Sequence, residues 1–157
     1  STGALGHGLP FAVGKSLSAK IKKAKFKSYV VLSDGEMDEG SNWEALMFAS
    51  HHKLNNLIAI IDYNKLQSLD TIKKTLGLEP LKDKLLSFGC EVIEVDGHNH
   101  EQILTSLKRS HKHKPKVIIA HTIKGKGVSF MENSVQWHYK SPDKNQLKTA
   151  VEEIENA

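Results

Sequence analysis

Residues 28–66 read SYVVLSDGEMDEGSNWEALMFASHHKLNNLIAIIDYNKL, and this stretch decides the fold. It opens with the apolar run Tyr29-Val30-Val31-Leu32, short and β-branched as a buried strand requires. The run stops at Ser33-Asp34-Gly35, where a carboxylate sits beside a residue that permits unusual backbone angles. An acidic loop follows, then an amphipathic helix from about Asn42 to Leu54 with Trp43, Leu46, Met47 and Leu54 as its core stripe. A second apolar run, Leu57 to Ile61, ends at Asp62-Tyr63-Asn64. Strand, loop, helix and strand in this order put a side-chain oxygen at the tip of each strand. Ligands of open parallel α/β sheets bind at the carboxyl ends of the strands, so Asp34 and Asn64 are expected on one rim. Two such oxygens suit a hard cation such as Mg2+, which completes its octahedral shell with waters and phosphates. One carboxylate and one amide neutralise half of a divalent charge, so the site reads as metal plus phosphate or diphosphate. On spacing alone, the same residues serve equally well as a turn and a cap.

The chain has 157 residues, 39% hydrophobic and 25% charged, which is the composition of a soluble globular domain with one core. No run approaches the roughly 18–20 apolar residues of a membrane helix, and no signal peptide opens the sequence. The single cysteine, Cys90, cannot form an internal disulfide, which fits a reducing cytoplasm. Net charge is +4, with a lysine cluster, KIKKAKFK, over residues 20–27. That cluster carries one aromatic and no groove-reading motif, so it reads as a solvated loop rather than a nucleic-acid patch.

Before the deciding stretch, a glycine-rich start, Gly3 to Gly8, leads into a helix with Leu9, Val13, Leu17 and Ile21 as its stripe. Glycines ahead of a helix let a ligand approach the backbone, although no strand-led dinucleotide fingerprint is present. The alternating acids Asp34, Glu36 and Asp38 fail as a calcium loop, since its sixth and twelfth positions would be Glu39 and Ala45. Residues 65–79 show no periodicity and read as a loop. Pro80 opens a short helix with Leu81, Leu85 and Phe88 inward and Gly89 at its end. A third strand runs from Cys90 to Val95 and ends at Asp96-Gly97-His98, polar groups that could share the rim. Asn99 caps the next helix, whose apolar positions are Ile103, Leu104 and Leu107. A zinc site from His98, His100, His111 and His113 lacks cysteine and any helical i,i+4 pair. The fourth strand, Lys116 to Ala120, leads into the lysine-glycine loop 121–127, able to meet phosphate through amides and charge. Ser141-Pro142 starts a closing helix with Leu147, Val151 and Ile154 on one face. The alternation predicts a doubly wound, mainly parallel α/β sheet of four or more strands with helices on both faces.

SDGEMDEG, followed by IIDYNKLQ, resembles the thiamine-diphosphate motif that begins GDG and ends in asparagine. TGALGHGLPFAVG, EALMFASHHKLNNLIAIID, FGCEVIEVDGH and VIIAHTIKGKGVSFMENSVQWH extend the resemblance to the amino-terminal, diphosphate-binding section of a transketolase. One departure is Ser33, which replaces the first glycine of the triplet. The resemblance implies that Gly3, Ala4, Leu5, Asp34, Gly35, Asn64 and His138 contact thiamine diphosphate. It implies Mg2+ on Asp34, Asn64 and the main-chain carbonyl of Leu66. Catalytic roles fall by the same likeness to His138, which reaches the diphosphate and the substrate side, and to Glu39, which lies at the subunit contact and couples paired cofactors. His7 stands where many relatives carry glutamine and receives no role. The implied reaction is two-carbon ketol transfer between sugar phosphates. Relatives activate the cofactor's aminopyrimidine ring from a pyrimidine domain, which is expected here on a second chain, in a homodimer or heterotetramer. The alternatives are a non-catalytic dimerisation scaffold and a subunit of a deoxyxylulose synthase or dehydrogenase type of thiamine-diphosphate enzyme.

Overall fold

The computed structural model describes residues 3–109 and 112–156. Its centre is a four-stranded, wholly parallel sheet formed by β1 (Ser28–Ser33), β2 (Leu57–Tyr63), β3 (Glu91–Asp96) and β4 (Lys116–His121), in the order β1-β2-β4-β3. Alternate residues of β2 face opposite ways. Leu57, Ala59, Ile61 and Tyr63 enter one core, which is closed by α1 (Gly8–Ile21), α2 (Gly40–His51), the four-residue α3 (Ile72–Thr75) and α4 (Leu81–Ser87). Ile58 and Ile60 enter the other, closed by α5 (His100–Lys108) through Ile103 and Leu107. The sheet is therefore doubly wound, as the alternation requires. The last helix, α6 (Lys144–Glu155), is tied to the preceding loop by Glu153, which accepts from the Ser129 amide and hydroxyl at 2.6 Å.

Several stripes shift from their expected positions. In α1 a repeat of four drifts by about 40° per step, so its fourth member stands about 120° from its first. Leu9 and Val13 are buried, Leu17 is half-buried, and Ile21 is 72% exposed; Ala12, Ser16 and Ala19 fill the buried face instead. In α2, Met47 is 53% exposed while Ala45, Leu46 and Ala49 pack inward. Trp43 packs on Phe88 of the α4–β3 corner, with ring centroids 5.0 Å apart. Leu54 is buried, but beyond the helix. Leu104 is exposed. The closing helix begins two residues later than Pro142 suggests, because Asp143 and Gln146 form a reciprocal capping box. Leu147, Val151 and Ile154 share a face of α6 but remain exposed.

Gly89 ends α4 at φ +80, as expected, and Asn99 caps α5 by accepting from the Gln102 amide at 3.1 Å. At the amino edge of the sheet the connecting loops carry Lys22, Lys23, Lys25, Lys27, Lys53, Lys112 and Lys114 and, among the described residues, no acid. Lys20 is drawn off to the His52 carbonyl at 2.6 Å. No described helix is long and apolar enough to cross a membrane.

Candidate functional site

The register places Ser33 beside Asp62 and Tyr63 beside His121, so the tips of β1, β2 and β4 end together. Above them opens a cavity of about 410 Å3. Gly3, Leu5, Asp34, Gly35, Asn64, Leu66 and His138, all singled out in the sequence, line it. Ala4 is exposed between two lining residues, and Glu39 is exposed at the start of α2, outside the lining. Ser33, Asp62, Gln67, Ser68, Lys124 and Tyr139 complete the wall.

Asp34 is only 1% exposed. Its Oδ1 accepts from the Gly35 amide at 2.7 Å and its Oδ2 from the Lys65 amide at 2.6 Å, so the carboxylate of the first strand tip is fastened to the turn after the second. Burial pushes its pKa above the usual carboxylate value; the Lys65 and Gly35 hydrogen bonds oppose this, the Asp62 charge adds to it, and Lys124 opposes it. Asn64 Oδ1 accepts from the Leu66 amide at 3.0 Å and so shapes the turn that carries Leu66. Ser33 has a local task that a glycine could not perform. Its hydroxyl accepts from the Glu36 amide at 3.0 Å, at the entry to the one-turn 3-10 segment Gly35–Asp38 that Asp34 caps.

The glycine-rich segment is held against this turn. Gly6 N donates to Glu36 Oε1 at 3.0 Å, and Ser41 Oγ donates to the Gly6 carbonyl at 2.7 Å. Gly6 has φ +77, and a Cβ there would lie 2.5 Å from Ser41 Oγ and 2.8 Å from Glu39 Cβ. Only glycine permits this approach.

The loop after β4 supplies the cation. Thr122 hydrogen-bonds Asp62, the Ile123 amide donates to His98 Nε2 at 2.8 Å, and the Asn133 amide donates to the Lys124 carbonyl at 2.9 Å. His98 therefore supports the loop from outside and does not line the cavity. His138 ends a second 3-10 turn, Val135–His138, whose Trp137 packs on Phe130 with centroids 5.2 Å apart. Burial, then the Lys124 ammonium, holds the His138 imidazole below its usual pKa. No group of three His, Cys, Asp or Glu able to hold a metal occurs among the described residues, and His111 of the zinc pattern lies outside them.

Asp62, Gln67 and Lys124 were not assigned to the site from sequence. Lys124 had a partial signal in its lysine-glycine loop; Gln67 had none, because its loop lacks periodicity.

Residues 1–154 match the transketolase, thiamine diphosphate binding domain. The chain belongs to the transketolase family. It is 45% identical to one subunit of the apulose-4-phosphate transketolase of Phocaeicola vulgatus, covering 98% of this chain and 56% of that protein. It is 40% identical to a 6-deoxy-6-sulfo-D-fructose transketolase subunit of a Clostridium species, over 99% of this chain and 57% of the relative. Human transketolase is 39% identical over 98% of this chain and 25% of its own length. The chain thus spans about half the length of the subunit-sized relatives. The crystal structure of Campylobacter jejuni transketolase superposes with a TM-score of 0.92 at 31% identity, over 98% of this chain and 26% of that one. The α/β sheet is thus a thiamine diphosphate binding domain of the transketolase family.

Proposed function

We propose that this chain binds thiamine diphosphate through Mg2+ and contributes the diphosphate half of a ketol-transfer site. The observation that carries the reading is the meeting of Asp34 and Asn64, from neighbouring strand tips, in one cavity that also holds Lys124. The donor set fits the ion. A carboxylate, an amide and the Leu66 carbonyl are hard oxygen ligands, and they leave coordination positions for water and phosphate. A cavity of about 410 Å3 suits a small ligand.

Within the site, Asp34 neutralises part of the metal charge and Asn64 orients the Leu66 carbonyl beside it. Lys124 balances the diphosphate. The open glycine-rich backbone at Gly3, with Ala4 and Leu5, admits the ring system and excludes water from one side. His138, in the cavity wall, donates a hydrogen bond to a phosphate or a substrate oxygen. Glu39 is proposed to meet a second protomer, and its exposure at the start of α2 is compatible with that role. The coenzyme, when bound, supplies the carbanion chemistry of carbon–carbon cleavage and formation, while the protein holds and tunes it. Sugar phosphates are the proposed donor and acceptor, and a pyrimidine-domain chain in a homodimer or heterotetramer completes the enzyme. The names of the apulose-4-phosphate and 6-deoxy-6-sulfo-D-fructose relatives, which are those of subunits, support that division.

The test combines this chain with a pyrimidine-domain partner, Mg2+ and thiamine diphosphate, and measures coenzyme affinity by calorimetry and two-carbon transfer by product formation. Turnover is expected only with both chains. Asp34→Ala, which removes the one charged ligand, abolishes metal-dependent binding; unchanged affinity in that variant overturns the metal assignment. Stable partner binding without turnover favours a dimerising scaffold.

A further inference from the structure

The alternation Asp34, Glu36, Asp38 is not a calcium loop, yet each carboxylate reaches a different segment of the cavity wall. Asp34 accepts from the Lys65 amide at 2.6 Å, Glu36 from the Gly6 amide at 3.0 Å, and Asp38 Oδ2 from Gln67 Nε2 at 2.9 Å. The first two bonds go to backbone. The third joins two side chains, and Gln67 itself is 8% exposed and lines the cavity. The stem of Gln67 lies against the 3-10 turn, with Cγ 3.2 Å from where a Cβ on Gly35 would stand. Its backbone is fixed as well: the Gln67 amide donates to the Asp70 carbonyl at 2.8 Å, and Leu66 bridges Thr71. The other oxygen of Asp38 is buried with no hydrogen-bond partner among the described residues. The bond to Gln67 is therefore the one that compensates this carboxylate.

We propose that the Asp38–Gln67 hydrogen bond is a clasp that fixes the spacing between the Asp34 turn and the Asn64–Leu66 turn, which makes Asp38 and Gln67 positioning residues for the metal. This rests on the metal site proposed above. Mg2+ demands near-ideal octahedral geometry, so ligands carried on two separate turns need their separation held by something other than the ion. Outer partners of this kind typically change metal affinity by roughly 10–100-fold when they are lost.

The experiment uses the intact chain, with its partner for the binding arm, and has two readouts. Hydrogen exchange follows the Lys65, Leu66 and Gln67 amides, whose acceptors are Asp34, Asn64 and Asp70. Calorimetry follows Mg2+-dependent thiamine diphosphate binding. Gln67→Glu sets two carboxylates against each other; it should speed exchange of those amides, leave β2 amides unchanged, and weaken binding roughly 10–100-fold. The reversed pair, Asp38→Asn with Gln67→Glu, restores a donor facing an acceptor and should recover both readouts to within about threefold. Circular dichroism confirms that each variant is folded. Wild-type exchange and affinity in Gln67→Glu, or a folded reversed pair that recovers neither readout, overturns the clasp. If the wild-type assembly binds no Mg2+ and thiamine diphosphate, the metal reading falls, while the exchange readout still decides whether the bond holds the two turns together.

Discussion

Replacing Gly6 by alanine tests how the glycine-rich segment is seated. The residue sits at φ +77, where a side chain costs about 1–2 kcal/mol. Its new Cβ would press on Ser41 Oγ at 2.5 Å, which can rotate, and on Glu39 Cβ at 2.8 Å, which cannot swing clear. The segment relieves the contact by lifting, and it then loses the Gly6–Glu36 and Ser41–Gly6 hydrogen bonds. The first has a carboxylate acceptor and contributes about 2 kcal/mol; the second contributes about 1 kcal/mol. The loss is therefore capped near 3 kcal/mol, because lifting is available whatever the clash costs. At about 2–4 °C per kcal/mol for a chain of this size, the melting temperature should fall by about 6–12 °C. Gly3→Ala is the control: no atom lies within 4 Å of its Cβ, and it should melt within about 1 °C of wild type. Scanning calorimetry of the unliganded chain reads both. If Gly6→Ala melts with wild type, the close approach at this turn does not exist in solution.

Other expectations follow from single residues. Lys116 is fully buried, and its ammonium donates to the Ser106 and Arg109 carbonyls at 2.6 Å, closing the end of α5; Lys116→Met should cost about 2 kcal/mol in urea unfolding. Burial lowers the Lys116 pKa, so above the folded value the native state has released a proton that the unfolded chain still binds. The stability advantage of wild type over Lys116→Met should therefore grow as pH rises toward the unfolded value near 10.4, and a shrinking advantage contradicts the assignment. Burial pushes the Cys90 thiol up to about 12, so alkylation at pH 8 should proceed only as fast as the chain opens, and added urea should accelerate it steeply. Ser33→Gly restores the usual triplet but removes the acceptor for the Glu36 amide; a loss of only a few tenths of a kcal/mol in thermal unfolding is expected, and a gain would show that the hydroxyl is dispensable.

The parts legible from sequence were those written in local pattern. The runs at 29–32 and 57–61 became β1 and β2, and the residues that end them, Asp34 and Asn64, came to one cavity because parallel strands in register must end together. Helix faces were legible only to within the drift of a helix, which is why Ile21 and Met47 point outward. The start of the closing helix carried a signal that outranks proline: Asp143-Lys144-Asn145-Gln146 has a capping residue three positions before Gln. Gln67 and Asp62 could not be read, because their partners lie 29 and 60 residues away in the chain. The buried Lys116 looked like the polar first residue of a strand, and only the return of α5 shows the carbonyls it serves.

The lysine-rich loops at the amino edge give the molecule an electrical polarity. Seven lysines gather at one end, while Asp34, Glu36, Asp38 and Asp62 crowd the other beside Lys65 and Lys124. A free diphosphate diffusing toward this chain is drawn to the wrong pole. On the proposed assignment, then, arrival has an order: the cation comes first, or the anion comes already chelated. Raising ionic strength shortens the reach of the misdirecting pole to less than about 8 Å. Salt should thus speed loading here, the reverse of its effect on a ligand guided to its site by opposite charge.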